Sequence, residues 1–225
     1  MLYAQERIMR VSSLPFYHDL SDIGKRMLPE NCEAAFFEKG QIVCESRNTS
    51  YGILYVEDGI MTVSLLSEEG REISLLRMHQ GDVCLLVATD VLPGIRFDVT
   101  LEAETDLKLQ ILSEPCMKLF MKQSPAFAEY VHREVEKNFS DAVRFLQNVL
   151  FYTFDQRVAT FLCEESRILN TDTLQITHEQ IARHIGSARE VVSRSLKRFS
   201  QQGIVTLDRG IVRICDLRRL KQIIN

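Results

Sequence analysis

The sequence predicts an α+β chain in three parts: an antiparallel β-roll of the jelly-roll type over 1–121, one long helix over 122–150, and a winged helix-turn-helix over 151–225. Three observations predict it. Short β-rich runs alternate with glycine turns through the first half, a heptad repeat of apolar residues follows, and two helix starts joined by a glycine turn precede a short hairpin near the end.

In the first part, β-rich runs at 53–56, 61–66, 73–76 and 99–101 lie within a strand-like region from about residue 35 to 113. Turn signals separate them at Gly40, Asp58-Gly59, Glu69-Gly70 and Gly81-Asp82, with eleven residues from Gly59 to Gly70 and again to Gly81. Regular short strands with glycine turns favour a sandwich or jelly roll over a parallel sheet. Metal-dependent cupin enzymes share that architecture, but they draw ligands from several histidines and a carboxylate. Only His18 and His79 lie in this half. With no nucleotide-binding glycine loop and no G-x-S-x-G elbow either, neither catalytic residues nor a metal site are expected, and the chain does not read as an enzyme.

The second part repeats Ala128, Val135, Ala142 and Val149 at seven-residue intervals, with Val131, Phe139, Phe145 and Leu146 between them. About three heptads of this kind make a helix, 125–150, that can pack on its own β-domain and against its twin. A homodimer is expected.

The third part centres on 177–199, THEQIARHIGSAREVVSRSLKRF. Thr177 with Gln180, and Ser187 with Glu190, have capping-box spacing and predict two helix N-termini ten residues apart. Ile181, Ala182 and Ile185 form the apolar face of the first helix, and Gly186 supplies a turn residue tolerant of left-handed backbone. On the second helix Ala188, Val192, Leu196 and Phe199 face a core, which leaves Arg189, Glu190, Ser193, Arg194 and Lys197 on the open side. Three cations along an exposed stripe suit a helix entering the DNA major groove. The plainer reading is a solvated face in which Glu190 completes a capping box and pairs with Arg194 one turn later. His178 and His184 read as exposed. The runs 204–207 and 211–214 around Asp208-Arg209-Gly210 predict a hairpin wing whose tip, Arg209, would approach phosphate. Thr177, Ser187, Arg189, Glu190, Ser193, Arg194, Lys197 and Arg209 are therefore the candidate DNA-binding residues. Arg218, Arg219 and Lys221 on a short terminal helix could add phosphate contacts or serve solubility.

Charge follows the same division. From residue 151 onward there are 12 Lys and Arg against 8 Asp and Glu, whereas the first 150 residues hold 15 against 23, a split that the overall −4 conceals. Local positive charge is what displaces counterions from phosphate, so double-stranded DNA is the expected partner of the C-terminal part. No apolar run approaches the ~18 residues needed to span a bilayer, and Glu6, Arg7 and Arg10 interrupt the first residues. A cytoplasmic protein without membrane attachment is expected. Six scattered cysteines, with no C-x-x-C pair, read as thiols in a reducing compartment and mostly as small buried hydrophobes.

This order of β-roll, long helix and winged helix resembles the cyclic AMP receptor and fumarate-nitrate regulator (Crp/Fnr) family of transcription regulators. The resemblance covers nearly the whole chain and is most specific at Gly59, Gly70, Gly81-Asp82 and the helix-turn-helix. It implies a cyclic-nucleotide-binding-like β-roll, an effector that moves the long helices, RNA polymerase as a partner, and a recognition pattern R-E-x-x-S/G-R that reads TGA-containing half-sites. Here Arg189, Glu190, Ser193 and Arg194 match it, with both arginines on guanine and Glu190 on a cytosine amino group. The family's pocket maps to Cys84, Leu85, Val87, Phe97, Asp98 and Ala142. Cyclic-nucleotide binders of the family carry an Arg-Ser pair for the phosphate and an upstream glutamate for the ribose; this chain has Phe97-Asp98 and Val87 there, which argues against cyclic AMP. Cys32 and Cys44 are too few for the iron-sulfur cluster of the oxygen-sensing branch. The cofactor and the small-molecule effector are left unassigned. Other readings are a haem on His18, His79 or Cys84, a redox switch at Cys84, no effector at all, or a small-molecule-binding β-roll protein whose helix-turn-helix serves protein contacts.

Overall fold

The computed structural model describes residues 11–45, 51–66, 72–85 and 99–224. Contacts gather the chain into two compact units, 1–66 with 76–142 and 67–75 with 143–225. Among the described residues no helix is long and apolar enough to cross a membrane.

In the first unit a 3-10 turn (Tyr17–Asp19) leads into helix α1 (Asp22–Asn31), started by Ser21, whose hydroxyl accepts from the Gly24 N–H at 3.1 Å. Eight strands follow: β1 (Cys32–Phe37), β2 (Ile42–Glu45), β3 (Tyr51–Asp58), β4 (Met61–Leu66), β5 (Glu72–Met78), β6 (Val83–Cys84), β7 (Val99–Ala103) and β8 (Leu107–Ser113). They form two four-stranded sheets, in the orders β1-β8-β3-β6 and β2-β7-β4-β5. This is the expected antiparallel roll. Each of the four runs read from sequence falls within a strand, and Gly40, Gly59 and Gly81 take positive φ at turns. Gly59 is also fixed by space, since a Cβ there would run into the Asp106 carbonyl. Gly70 lies outside the described residues. On the sheet β2-β7-β4-β5, Arg77 of β5 grips Glu104, the residue after β7, with two bonds of 2.7 and 2.9 Å, and Thr62 of β4 adds a third to the same carboxylate. Both charged side chains are nearly buried, so the fork geometry is what compensates their lost hydration.

Two helices follow, α2 (Glu114–Gln123) and α3 (Pro125–Phe151), of which α3 belongs to this unit up to residue 142. The expected helix 125–150 is thus present, one residue longer. Its N-terminal half buries Phe127, Tyr130 and Val131. Phe127 meets Phe16 edge-on at 5.5 Å and Phe120 at 6.0 Å, an aromatic group on which Leu14, Leu20, Leu28 and Met117 also pack. Burial, before any neighbouring charge, pushes the Tyr130 phenol well above its ordinary range.

Asn138, one turn and more beyond, is 2 % exposed. Its carboxamide bonds the backbone on both sides of Cys84: Oδ1 accepts from the Leu85 N–H at 3.0 Å, and Nδ2 donates to the Val83 carbonyl at 3.0 Å. The helix thereby supplies the edge of β6 with the pairing that another strand would give. Lys137 beside it reaches Asp82 at 2.9 Å, and the other oxygen of Asp82 accepts from the His79 N–H.

The heptad residues divide between two roles. Val131 and Ala142 are buried, Ala128, Val135, Phe145 and Val149 are partly covered, and Phe139 (49 %), Leu146 (51 %) and Leu150 (72 %) stand exposed along one side. A core helix has no reason to leave that stripe bare.

In the second unit, α4 (Phe154–Leu169) begins at a capping box of Thr153 and Gln156, and ends where Asn170 takes left-handed backbone. Then come β9 (Thr173–Gln175), α5 (His178–His184), α6 (Arg189–Gln201), β10 (Val205–Asp208), β11 (Ile211–Ile214) and α7 (Leu217–Ile224). The hairpin is where the sequence put it, with Asp208 opposite Ile211 and Gly210 at φ +73°. It also gains β9 as a third strand, order β10-β11-β9, which the sequence reading lacked. Val158, Leu162, Ile181, Val192, Leu196 and Phe199 form the centre of this unit's core.

Removing the Asn138 amide strands one donor and one acceptor inside the first unit. Asn138→Leu, which keeps the volume, should destabilise that unit by about 1–3 kcal/mol per stranded group. Urea unfolding followed by circular dichroism checks it, and an unchanged midpoint would show that the clamp contributes nothing.

Candidate nucleic-acid interface

The reader is built around one turn. Helix α5 starts at Thr177, whose Oγ1 accepts from the Gln180 N–H at 3.2 Å while Gln180 Oε1 accepts from the Thr177 N–H at 2.9 Å. This capping box is as expected. The helix ends when the Ser187 N–H turns back to the Ala182 carbonyl at 2.9 Å and the Gly186 N–H to Arg183 at 3.4 Å. Such a closure needs a left-handed residue between, and Gly186 has φ +62°.

That closure corrects the second predicted cap. Ser187 spends its N–H on Ala182, and its side-chain oxygen is buried with no hydrogen-bond partner. Helix α6 instead starts after Ala188, which has no oxygen to offer, so the starts lie one residue further apart than the spacing predicted. Ala188 is exposed rather than part of the apolar face. Val192, Leu196 and Phe199 occupy that face as expected, each 1 % exposed or less.

Two details of the plainer reading, the capping box and the pairing of Glu190, are corrected with the cap. Glu190 completes no capping box, and among the described residues neither it nor Arg194 takes part in any ion pair or side-chain hydrogen bond. Arg189, Glu190, Arg194 and Lys197 are all exposed on α6, and Arg209 is exposed at the wing tip. The far end of the helix is tied down: Arg198 is paired with Asp155 of α4. An anchored helix with an unengaged cationic face is pre-organised for a polyanion.

Three residues that matter here are not legible as such in the sequence. Arg157 of α4 is 8 % exposed and lies over the Phe154 ring at 4.3 Å, with Nη1 donating to the Ile185 carbonyl at 2.9 Å. Burial lowers its pKa. It fixes the turn between the two helices from outside them. The only sequence signal is a cation beside the core positions Val158 and Ala159. His178 and His184, read as exposed, are half-covered: His184 stacks on Phe161 at 5.4 Å, and His178 Nδ1 lies 2.8 Å from Ser193 Oγ. Burial first, and the Arg189 charge second, hold the His178 pKa below its ordinary value.

Of the candidate sensor residues, Cys84 is fully buried and Leu85 is 3 % exposed. The Asn138 clamp brings them to α3, one turn before Ala142. Val87, Phe97 and Asp98 lie outside the described residues. Full burial does not suit Cys84 to the exposed, acidic thiol of a redox switch, and none of the six cysteines is in a disulfide. His18 is exposed, His79 is buried, and among the described residues no three His, Cys, Asp or Glu side chains gather as a metal site.

Comparison with known proteins bears on both units. A family model described as a Crp-like helix-turn-helix domain matches residues 156–223. The solved structure of a putative transcriptional regulator of the crp/fnr family from Eubacterium rectale is 38 % identical, with a TM-score of 0.82 over 93 % of this chain and 97 % of that one. Transcriptional regulator SdrP of Thermus thermophilus is 22 % identical over 202 residues, 85 % of this chain and 94 % of its own. A CRP-like cAMP-activated global transcriptional regulator of Mycobacterium tuberculosis is 22 % identical over 201 residues, 86 % of this chain and 88 % of its own.

Arg157→Met keeps most of the stem but strands the Ile185 carbonyl. It should cost the second unit about 1.5–3 kcal/mol, the range for a hydrogen bond to a charged group. A thermal transition at the wild-type temperature would show that the turn does not depend on Arg157.

Proposed function

The chain belongs to the Crp/Fnr family of DNA-binding transcription regulators, and on that premise we propose that it works as a homodimer on a palindromic site, under the control of a ligand other than cyclic AMP. The observation that carries the DNA reading is the set Arg189, Glu190, Arg194 and Lys197, exposed and, among the described residues, unpaired on a helix whose opposite face is buried. Arginine can bond guanine O6 and N7 together, and a carboxylate accepts from the cytosine amino group. Arg209 at the wing tip supplies a sequence-independent phosphate contact.

Dimerisation rests on the bare stripe of α3. Phe139, Leu146 and Leu150 follow one another at seven and four residues, the spacing of a coiled-coil contact line. Two readers joined this way would address half-sites about one DNA turn, ~34 Å, apart.

Activation by cyclic AMP belongs, by its name, to the mycobacterial relative. In this chain a carboxylate at Asp98 and a phenyl ring at Phe97 stand where a phosphate would need an arginine and a hydroxyl. The pocket positions that the resemblance assigns, apolar but for one acid, would suit a hydrophobic or cationic small molecule. The Asn138 clamp gives such a ligand a route to act, because β6 and the helix share the same two hydrogen bonds.

Selection from a random duplex pool should return a two-fold palindrome with TGA-containing half-sites. Arg189→Ala and Arg194→Ala should each lose about 1–3 kcal/mol and relax choice at one base pair; undiminished binding by both would remove the DNA-reading role. Leu146→Arg should sediment as a monomer with its helix content intact, and a dimer of wild-type affinity would move the interface elsewhere. Calorimetry with cyclic AMP should show no binding.

A further inference from the structure

Ser193 matches the recognition pattern, yet its hydroxyl is engaged within the protein: Oγ lies 2.8 Å from His178 Nδ1, linking the first residue of α5 to the middle of α6. The two residues are fifteen apart in sequence. Resting on the DNA-reading role above, we propose that His178 is a specificity-setting residue that acts through Ser193, holding its hydroxyl in one rotamer and fixing it as a hydrogen-bond acceptor toward the base edges.

A serine hydroxyl has one proton and two lone pairs. When Nδ1 accepts the Ser193 proton, the oxygen has only lone pairs left for the groove and pairs with an exocyclic amino group, cytosine N4 or adenine N6. When Nδ1 carries a proton and donates it, the Ser193 proton is released for thymine O4 or guanine O6 and N7. The protonation of one imidazole nitrogen therefore decides which half of the major-groove code this position reads. The neutral ring is favoured here, because burial and the nearby Arg189 both disfavour imidazolium. Of the two neutral tautomers, the one with its proton on Nε2 makes Ser193 an acceptor, and that is the tautomer proposed. His178 needs no base contact of its own for this, which makes it a positioning residue.

The test is bound-sequence selection from a random duplex pool with the full-length wild type, Ser193→Ala, His178→Ala, the double variant and His178→Asn. Wild type should prefer an amino-bearing base, adenine or cytosine, at one position beside the arginine-read guanines. Ser193→Ala and His178→Ala should each flatten that preference by about two- to tenfold, the worth of one hydrogen bond. The double variant should lose no more than either. His178→Asn, whose Oδ1 sits near the place of Nδ1, should restore it. Retained guanine selection in every variant shows that the reader is folded. A preference untouched by His178→Ala overturns the proposal, as does a uniform loss across all positions, the mark of a phosphate contact. If wild type itself enriches no sequence, the DNA-reading role falls and this inference with it; a wild-type palindrome with an unshifted His178→Ala profile removes the inference alone.

Discussion

One carboxamide holds the long helix to the sheet it serves. Asn138 reaches the backbone of a two-residue edge strand from a helix and satisfies a donor and an acceptor that no neighbouring strand meets. In a dry interior an amide left half-satisfied is worse than none, so the side chain defines a single axial setting of α3 against the roll. Apolar packing of Phe127, Tyr130 and Val131 supplies most of the attraction, but it is non-directional and tolerates sliding. The rotation of this part of α3 about its own axis, and with it the side that Phe139 presents, is set by the bonds that cannot slide.

The second unit solves a related problem with a different group. A tight turn between two short helices exposes its own carbonyls, and here the Ile185 oxygen is met by a guanidinium from α4. Seven residues of α5 are too few to hold a helix by themselves. Its order comes from the capping box at one end, the glycine closure at the other and the apolar face beneath. The recognition helix inherits that order, since its first residues follow directly from the turn.

How much of this was legible depended on how local the cause was. The strand at 61–66, the long helix, the hairpin and the open face of α6 all follow from periodicity or turn chemistry within a few residues, and all were read correctly. The cap at Ser187 was misread because a competing backbone closure claimed that residue first. Helix α4 carries a local signal in its capping pair, Thr153 and Gln156. Strand β9 had no signal, being three residues that are a strand only because β11 lies beside them. The roles of Arg157, Asn138 and His178 depend on partners 28, 53 and 15 residues away, a distance over which pattern carries no information.

That third strand has a consequence for how the reader comes apart. Because β9 precedes α5 and pairs with β11 beyond α6, both helices are enclosed within one loop closed by sheet hydrogen bonds. The ladder cannot form until the intervening chain has paid its closure entropy, which is smallest when both helices are already folded. Hydrogen exchange across 173–214 should accordingly be cooperative: amides in the wing and in the recognition helix would open together, as one foldon, and not as a mobile hairpin attached to a stable helix pair.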